Sequence, residues 1–482
     1  MSKITTDKTQ HITKPEDRVT VPRRMAFGSG LIAYSLMNNG FTTMLNPIFN
    51  VNLGVSPVML GLVMAISRFY DAFTDPLMGS ISDNTRSKMG RRRPYIALGG
   101  FLGAFFFALI WWAPREASET FYLGWILIGS LTLSTAFTIF SVPYIALSFE
   151  LTPDYHERTR VMAYKVAMGM IGGVLVGSFF WLTQRSFFTD TVEGMRYVGI
   201  VAGVVIFLVA MIPVFFTKEH PNAVRAASQD KVSFVSSVRT TLSVRPFQII
   251  IAVTVLLLFS LHLVQQLGFY VNLYYVYDGN QAASANAHFA AMTSYQVFAF
   301  CSIPVVTKLA GRVGKRYALM VFLLLAMIGS ASKWVCYNPA YPYLQIIPNA
   351  LMGSGLAATW LLLNAMIPDA CDLDELSSGT RREGMFSAVY SWTFKVGIGL
   401  ALIGAGYVLN ITGFDATLES PQSDGTLWWM RLLFTLLPIA GICTAIFALK
   451  KYPLTEDKAY EVRCELDTRR TERALAGSFE KH

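Results

Sequence analysis

Residues 67–83 read SRFYDAFTDPLMGSISD, placing Arg68, Asp71 and Asp75 inside an apolar block that runs over about 56–80. A block of that length crosses a hydrocarbon layer, which takes about 20 helical residues. Spaced i, i+3 and i+7, the three charges share one face of a helix. At about 3 kcal/mol each near mid-bilayer they would oppose insertion by about 8–10 kcal/mol. That face is therefore expected to line a cavity. An Arg68–Asp71 ion pair holding helices together would use two of the three groups and leave Asp75 with no partner on its own helix. A second carboxylate one turn away suits a cation, either Na⁺ among several oxygens or a proton shared by two repelling carboxylates. Thr74, next to Asp75, and Thr138, in the fourth block, are candidates for further oxygens.

Working outward, the whole chain is built of such blocks. Of 482 residues 53% are hydrophobic and 15% charged, and the mean hydropathy is +0.43. A water-soluble enzyme of this length needs more polar surface to cover itself, so that class is excluded. Alternating strands of a membrane barrel are excluded too, since the blocks are apolar on every face. The spacing predicts an all-α polytopic membrane protein with twelve transmembrane helices in two six-helix bundles. The expected spans are 25–47, 56–80, 95–113, 121–149, 161–183, 197–217, 246–276, 286–309, 317–336, 342–369, 385–410 and 427–449.

Basic residues mark the orientation. With both ends on one side, 32 of the 40 Lys and Arg fall there and four, Arg115, Arg185, Arg196 and Arg431, fall opposite. Retention of basic loops inside predicts cytoplasmic termini in a plasma (inner) membrane. The net charge of +9 thus reads as a topology signal, with the lipid bilayer as partner and no nucleic acid. The five cysteines and six histidines form no CxxC motif or ligand-spaced cluster, so no structural metal is expected. Residues 1–24 form a polar leader expected to remain on the chain, 25–217 and 246–450 the two bundles, 218–245 a cytoplasmic linker and 451–482 a cytoplasmic tail. The halves echo each other: 79–95 resembles 308–317, and 143–165 resembles 368–395, each of the latter running through an acidic and basic loop to a Lys in the next span. Two such repeats around a midplane cavity describe a major facilitator fold.

The pattern Arg68-x-x-Asp71-Ala72-x-x-Asp75-Pro76-x-Met78-Gly79, followed by Asp83-x-Thr85-Arg86-Ser87-x-x-Gly90-Arg91, resembles the glycoside, pentoside and hexuronide cation symporters, the melibiose permease family. So do Val142-Pro143-Tyr144-x-Ala146-Leu147 with Leu151-Thr152-x-Asp154-x-x-Glu157-Arg158, and Ile367-x-Asp369-x-x-Asp372-x-Asp374-Glu375 with Arg382-Glu383-Gly384. The resemblance implies a cation site at Asp71, Asp75 and Thr138, with Thr74 where the family has an amide, and Na⁺ or H⁺ as coupling ion. For the substrate it implies Lys395, Trp360 and, approximately, Lys165. The family's acidic sugar-binding positions fall at Gly30 and Ser141, and a tryptophan position falls at Ile145. Losing those carboxylates while keeping two lysines tilts the pocket towards an anionic ligand, which hexuronides satisfy. Asn38, Arg68, Ser141 and Asn364 complete the expected pocket. Lys333 is expected to snorkel from the end of its span.

Loop charges are expected to gate the cavity. Asp83 with Arg86, Arg91 and Arg92, Glu157 with Arg158, and Asp369 with Asp372 are expected where the bundles meet, holding one of two rocking states closed. The reading is thus of a symporter for a sugar, glycoside or hexuronide. The alternatives are a cation-dependent lysolipid carrier of the same fold and a non-transporting membrane sensor. No nucleophile and base pair is visible, so no enzyme and no cofactor beyond the coupling ion is expected.

Overall fold

The computed structural model describes residues 18–152, 155–218, 241–378, 383–415, 422–454, 458–462, 464–466, 468 and 469. Helix follows helix along these residues. Helix α1 covers 21–52 as one rod, α-helical over Val21–Ser35 and Phe41–Leu45 and π-helical over Leu36–Gly40 and Asn46–Asn52. It is followed by α2 (Pro57–Asn84), α3 (Arg93–Leu109), α4 (Glu119–Glu150), α5 (Tyr155–Thr183) and α6 (Thr191–Phe216). The second half repeats the series: α7 (Arg245–Tyr270, continued by the π-helix Val271–Val276), α8 (Gln281–Val313) and α9 (Lys315–Cys336). Then come α10 (Ile346–Ser378, entered through the 3₁₀ turn Pro342–Gln345), α11 (Glu383–Ile411) and α12 (Asp424–Lys450). Among the described residues nine helices are long and apolar enough to cross a membrane. Of the others, α3 is short, α1 is broken by its π turns, and α2 carries the charges of the motif.

Local sequence explains where the helices start. Pro57, Pro94 and Pro246 sit in the first turns of α2, α3 and α7, where a missing N–H costs nothing. Ser118, Asp190, Asn280 and Ser423 cap α4, α6, α8 and α12 by accepting hydrogen bonds from backbone N–H groups, satisfying donors that helix starts leave free.

In the first bundle α1 packs on α5 and α6, α3 on α4 and α6, and α2 on α4; in the second, α10 packs on α8 and α9, α7 on α11 and α12, and α9 on α12. The bundles meet along α2–α11 and α5–α8. Glycine lets the backbones close there: a Cβ at Gly61 would lie 2.6 Å from the Leu402 carbonyl oxygen, and one at Gly406 2.6 Å from the Cα of Val58. One continuous buried apolar cluster runs through the first bundle into the α7, α11 and α12 residues nearest the α1–α2 turn; the rest of the second bundle has its own cluster. The bundles are therefore fused at the α1–α2 end and have separate cores at the opposite end, where α8 turns into α9.

Candidate functional site

The charged face of α2 looks across the first bundle towards α1 and α4 and across the seam towards α11. The π turn Leu36–Gly40 in α1 carries Asn38, whose Oδ1 accepts a 2.8 Å hydrogen bond from Arg68 Nη1. The same nitrogen is 3.4 Å from Asp71 Oδ2, and Arg68 Nη2 is 3.4 Å from the Thr42 hydroxyl. The expected i, i+3 pair is thus formed. Asp71 is buried, and its Oδ1 lacks a hydrogen-bond partner of normal geometry. Ser67, Arg68, Ser130 and Ser134 line an adjoining cavity of about 20 Å³, enough for one water molecule.

One turn further, Asp75 has partners from two other helices. The Thr138 hydroxyl on α4 donates to Asp75 Oδ1 at 2.9 Å, and the Thr74 hydroxyl lies 3.5 Å from that of Thr138. On the other oxygen, Lys395 Nζ of α11 forms an ion pair with Asp75 Oδ2. This pair crosses from one bundle to the other over 320 residues of sequence. Three of the expected cation-site residues, Thr74, Asp75 and Thr138, are thus brought together, Asp71 lies one turn away on the same helix, and Lys395 pairs with Asp75.

The remaining pocket residues spread over both bundles. The Trp360 ring meets that of Phe394 at 5.5 Å, beside Lys395, and Asn364 Nδ2 donates to the Trp360 carbonyl. Ser141 is buried on α4, three residues beyond Thr138. Lys165 faces aromatic rings, its Nζ 5.2 Å from the Tyr144 centroid and 5.9 Å from that of Phe27, with no acidic partner among the described residues. A cation held only by ring faces is available to an anion.

The loop charges behave differently from expectation in this conformation, because each described pair joins helices of one bundle. Arg92, 5% exposed, donates to Glu150 at 3.0 Å, to Ser82 at 2.6 Å and to Asp83, and Arg91 reaches Glu150 at 2.9 Å. Glu157 accepts from Arg24 at 2.6 Å and from the Val19 N–H at 3.1 Å, with Arg160 at 3.3 Å. In the second bundle Lys315 pairs with Asp369 at 2.6 Å. Arg86 is exposed and Asp372 buried, while the Arg158 side chain lies outside the described residues. These pairs brace α2–α3–α4, α1–α5 and α9–α10. Arg92→Ala is expected to lower stability by about 3 kcal/mol, since it strips one partner from a buried carboxylate; a thermal melt of the purified protein checks this, and an unchanged midpoint contradicts it. Lys333 is a correction: it does not snorkel. It is 6% exposed, with its Nζ 3.9 Å from the Phe434 ring centroid and 3.4 Å from the Phe434 carbonyl oxygen.

The partners that sequence reasoning missed, Glu150, Arg24, Lys315 and the serines around Asp71, are ordinary polar residues in the chain. Only folding brings them to a charge.

The family described as MFS/sugar transport protein matches residues 26–456, nearly the whole of the described fold. The chain belongs to this family. An MFS/sugar transport protein is a multi-pass membrane carrier and not an enzyme, and the two-bundle fold is that of the major facilitator superfamily. Among relatives, the chain is 23% identical to the glucuronide carrier protein homolog of Escherichia coli (strain K12), covering 91% of this chain and 95% of that one. It is 25% identical to the sodium-dependent lysophosphatidylcholine symporter 1 of Homo sapiens, over 88% of this chain and 82% of that one. A bacterial homolog of the human lysosomal transporter Spinster shares the fold with a TM-score of 0.63 at 15% identity, covering 92% of this chain and 97% of that structure.

Proposed function

We propose that this family member is a symporter that moves an anionic sugar, a hexuronide or a glycoside bearing a carboxylate, together with Na⁺ or H⁺, by alternating access. Residues 25–217 and 246–450 act as the two rocking halves and 218–245 as their linker, in the plasma membrane with both termini cytoplasmic. The observation that carries the reading is the Lys395–Asp75 pair across the seam. In the empty carrier the ammonium serves as counter-ion to Asp75. A cation arriving among Asp75, Asp71, Thr138 and Thr74 competes with it and releases it. The freed Lys395, with Lys165 opposite, then meets the substrate carboxylate by charge-assisted hydrogen bonds, while Trp360 offers a ring face to the sugar.

Coupling follows from charge balance. A cation alone would leave Lys395 unpaired in a low-dielectric seam, and an anion alone would find Lys395 occupied, so each half-loaded state is unfavourable. The relative named as a glucuronide carrier homolog supports the anionic sugar. The one named as a lysophosphatidylcholine symporter makes a phospholipid the competitor to test. Proteoliposomes with imposed Na⁺ or pH gradients are expected to accumulate labelled glucuronide under one of them. Unlabelled uronide is expected to compete, and a neutral galactoside or lysophosphatidylcholine to compete at least about tenfold less well, the equivalent of about 1.4 kcal/mol. Competition by the lysolipid alone would overturn the substrate class, and no gradient-driven uptake of any of them would overturn transport.

A further inference from the structure

At the α1–α2 end two neutral polar side chains, one from the first helix of each bundle, meet across the seam. The first helix of each bundle, α1 and α7, ends in a π-helix, Asn46–Asn52 and Val271–Val276. Each π segment is closed by the same backbone bond across six residues: the Val55 N–H donates to the Phe49 carbonyl and the Gly279 N–H to the Leu273 carbonyl, both at 2.8 Å. Each then turns through left-handed backbone, Gly54 at φ +72° and Asp278 at φ +49°. At the contact between these two ends the Tyr270 hydroxyl donates a 2.5 Å hydrogen bond to Asn50 Oδ1. Both residues are fully buried, and the Asn50 amide is fixed from behind by donating to the Val55 carbonyl at 2.8 Å. Gln281, at the start of α8, adds a part-buried brace: its Oε1 accepts from Thr191 at 2.8 Å and faces Asn52 at 3.4 Å.

We infer that Asn50 and Tyr270 form the latch of the outer gate, a fully buried neutral hydrogen bond between helix ends flanked by π turns that part when the carrier opens outward. It rests on the alternating-access reading but not on which ion or sugar is carried. The choice of groups fits the task. A buried ion pair is costly to break, whereas an amide and a phenol exchange their mutual bond for bonds to water, so the closed state gains only modestly and the latch is reversible. π turns carry fewer hydrogen bonds in register with the rest of the helix and recur at functional sites, which places the flexing points at 46–52 and 271–276. Asn50 and Tyr270 touch neither proposed ligand. They are positioning residues.

Spin labels at Glu116→Cys and Tyr341→Cys, both exposed positions on loops at this end, report the gate by pulsed distance measurement when the exposed Cys301, Cys443 and Cys464 are replaced by Ser. Tyr270→Phe keeps the ring but leaves the buried Asn50 oxygen without a donor. It is expected to raise the ratio of long to short distances at least about fivefold. Asn50→Leu is expected to do likewise, and the double variant to be no more open than the worse single, because both remove one bond. The shift is expected to be insensitive to ionic strength, since no net charge is involved. An unchanged distribution in Tyr270→Phe, or strictly additive effects of the two substitutions, overturns the latch. If the parent also shows one fixed distance with and without Na⁺ and glucuronide, the alternating-access reading falls with it.

Discussion

Asp75→Asn is expected to abolish accumulation: vesicles carrying it equilibrate substrate to an inside-to-outside ratio of one under a Na⁺ or pH gradient that drives the parent well above it. The carboxylate touches the α4 hydroxyl, the α11 ammonium and, in the proposed cycle, the coupling ion. An amide keeps the shape and the Thr138 contact but supplies no negative charge to balance a cation and takes up no proton near neutral pH. The substitution also leaves Lys395 without a counter-charge at the seam, which disfavours the closed arrangement seen here. A lower accumulation ratio in correctly folded protein, judged by a single symmetric peak on gel filtration, is the expected result. Uphill uptake by Asp75→Asn would contradict the assignment of Asp75 as the coupling carboxylate.

Lys395→Ala separates the two ligands by sign. Because the ammonium occupies Asp75 in the empty carrier, its removal is expected to tighten cation binding in the absence of substrate, about tenfold if the pair is worth about 1.4 kcal/mol. The same change removes the charge offered to the substrate carboxylate, and affinity for glucuronide is expected to fall about tenfold or more, charge-assisted bonds being worth about 1.5–3 kcal/mol. Titration calorimetry on the purified variant checks both. A residue that merely helped build the ion site would show both affinities falling together, and that outcome would contradict the competition.

Most of the fold was legible because hydropathy is set by lipid. The expected spans match the helices to within a few residues along much of the chain, and each departure has a local cause. Helix α10 continues to Ser378 where 369 was expected, and α2 continues to Asn84 where 80 was expected, because a helix does not stop where the hydrocarbon stops. Likewise α6 begins at Thr191, six residues before the apolar block, since Asp190 caps it there. The α1 extension to Asn52 is π-helical, a geometry that residue periodicity does not announce.

The site was legible only as far as one helix reaches. Arg68 and Asp71 declare each other by spacing, and Thr138 was named first as a polar residue in a span and again through the family resemblance. The Asp75 pairing of Lys395 was not legible: a lysine deep in a span signals a buried partner, but nothing in the chain says that the partner is a carboxylate 320 residues earlier. Lys333 shows the same blindness in reverse. Its position near the end of a span suggested water, and only the packing of α9 on α12 reveals that Phe434 covers it. Several of the loop charges are paired, but with Glu150 and Arg24, residues that nothing in the sequence marks as their partners.

The central claim is that ion and substrate are linked because Lys395 cannot serve both Asp75 and the sugar carboxylate. The most direct test is the affinity for the driving cation measured on the unmodified carrier with and without saturating glucuronide, and the affinity for glucuronide with and without the cation. The account requires each ligand to tighten the other by one and the same factor. Binding of either that is indifferent to the other, or weakened by it, would contradict the account.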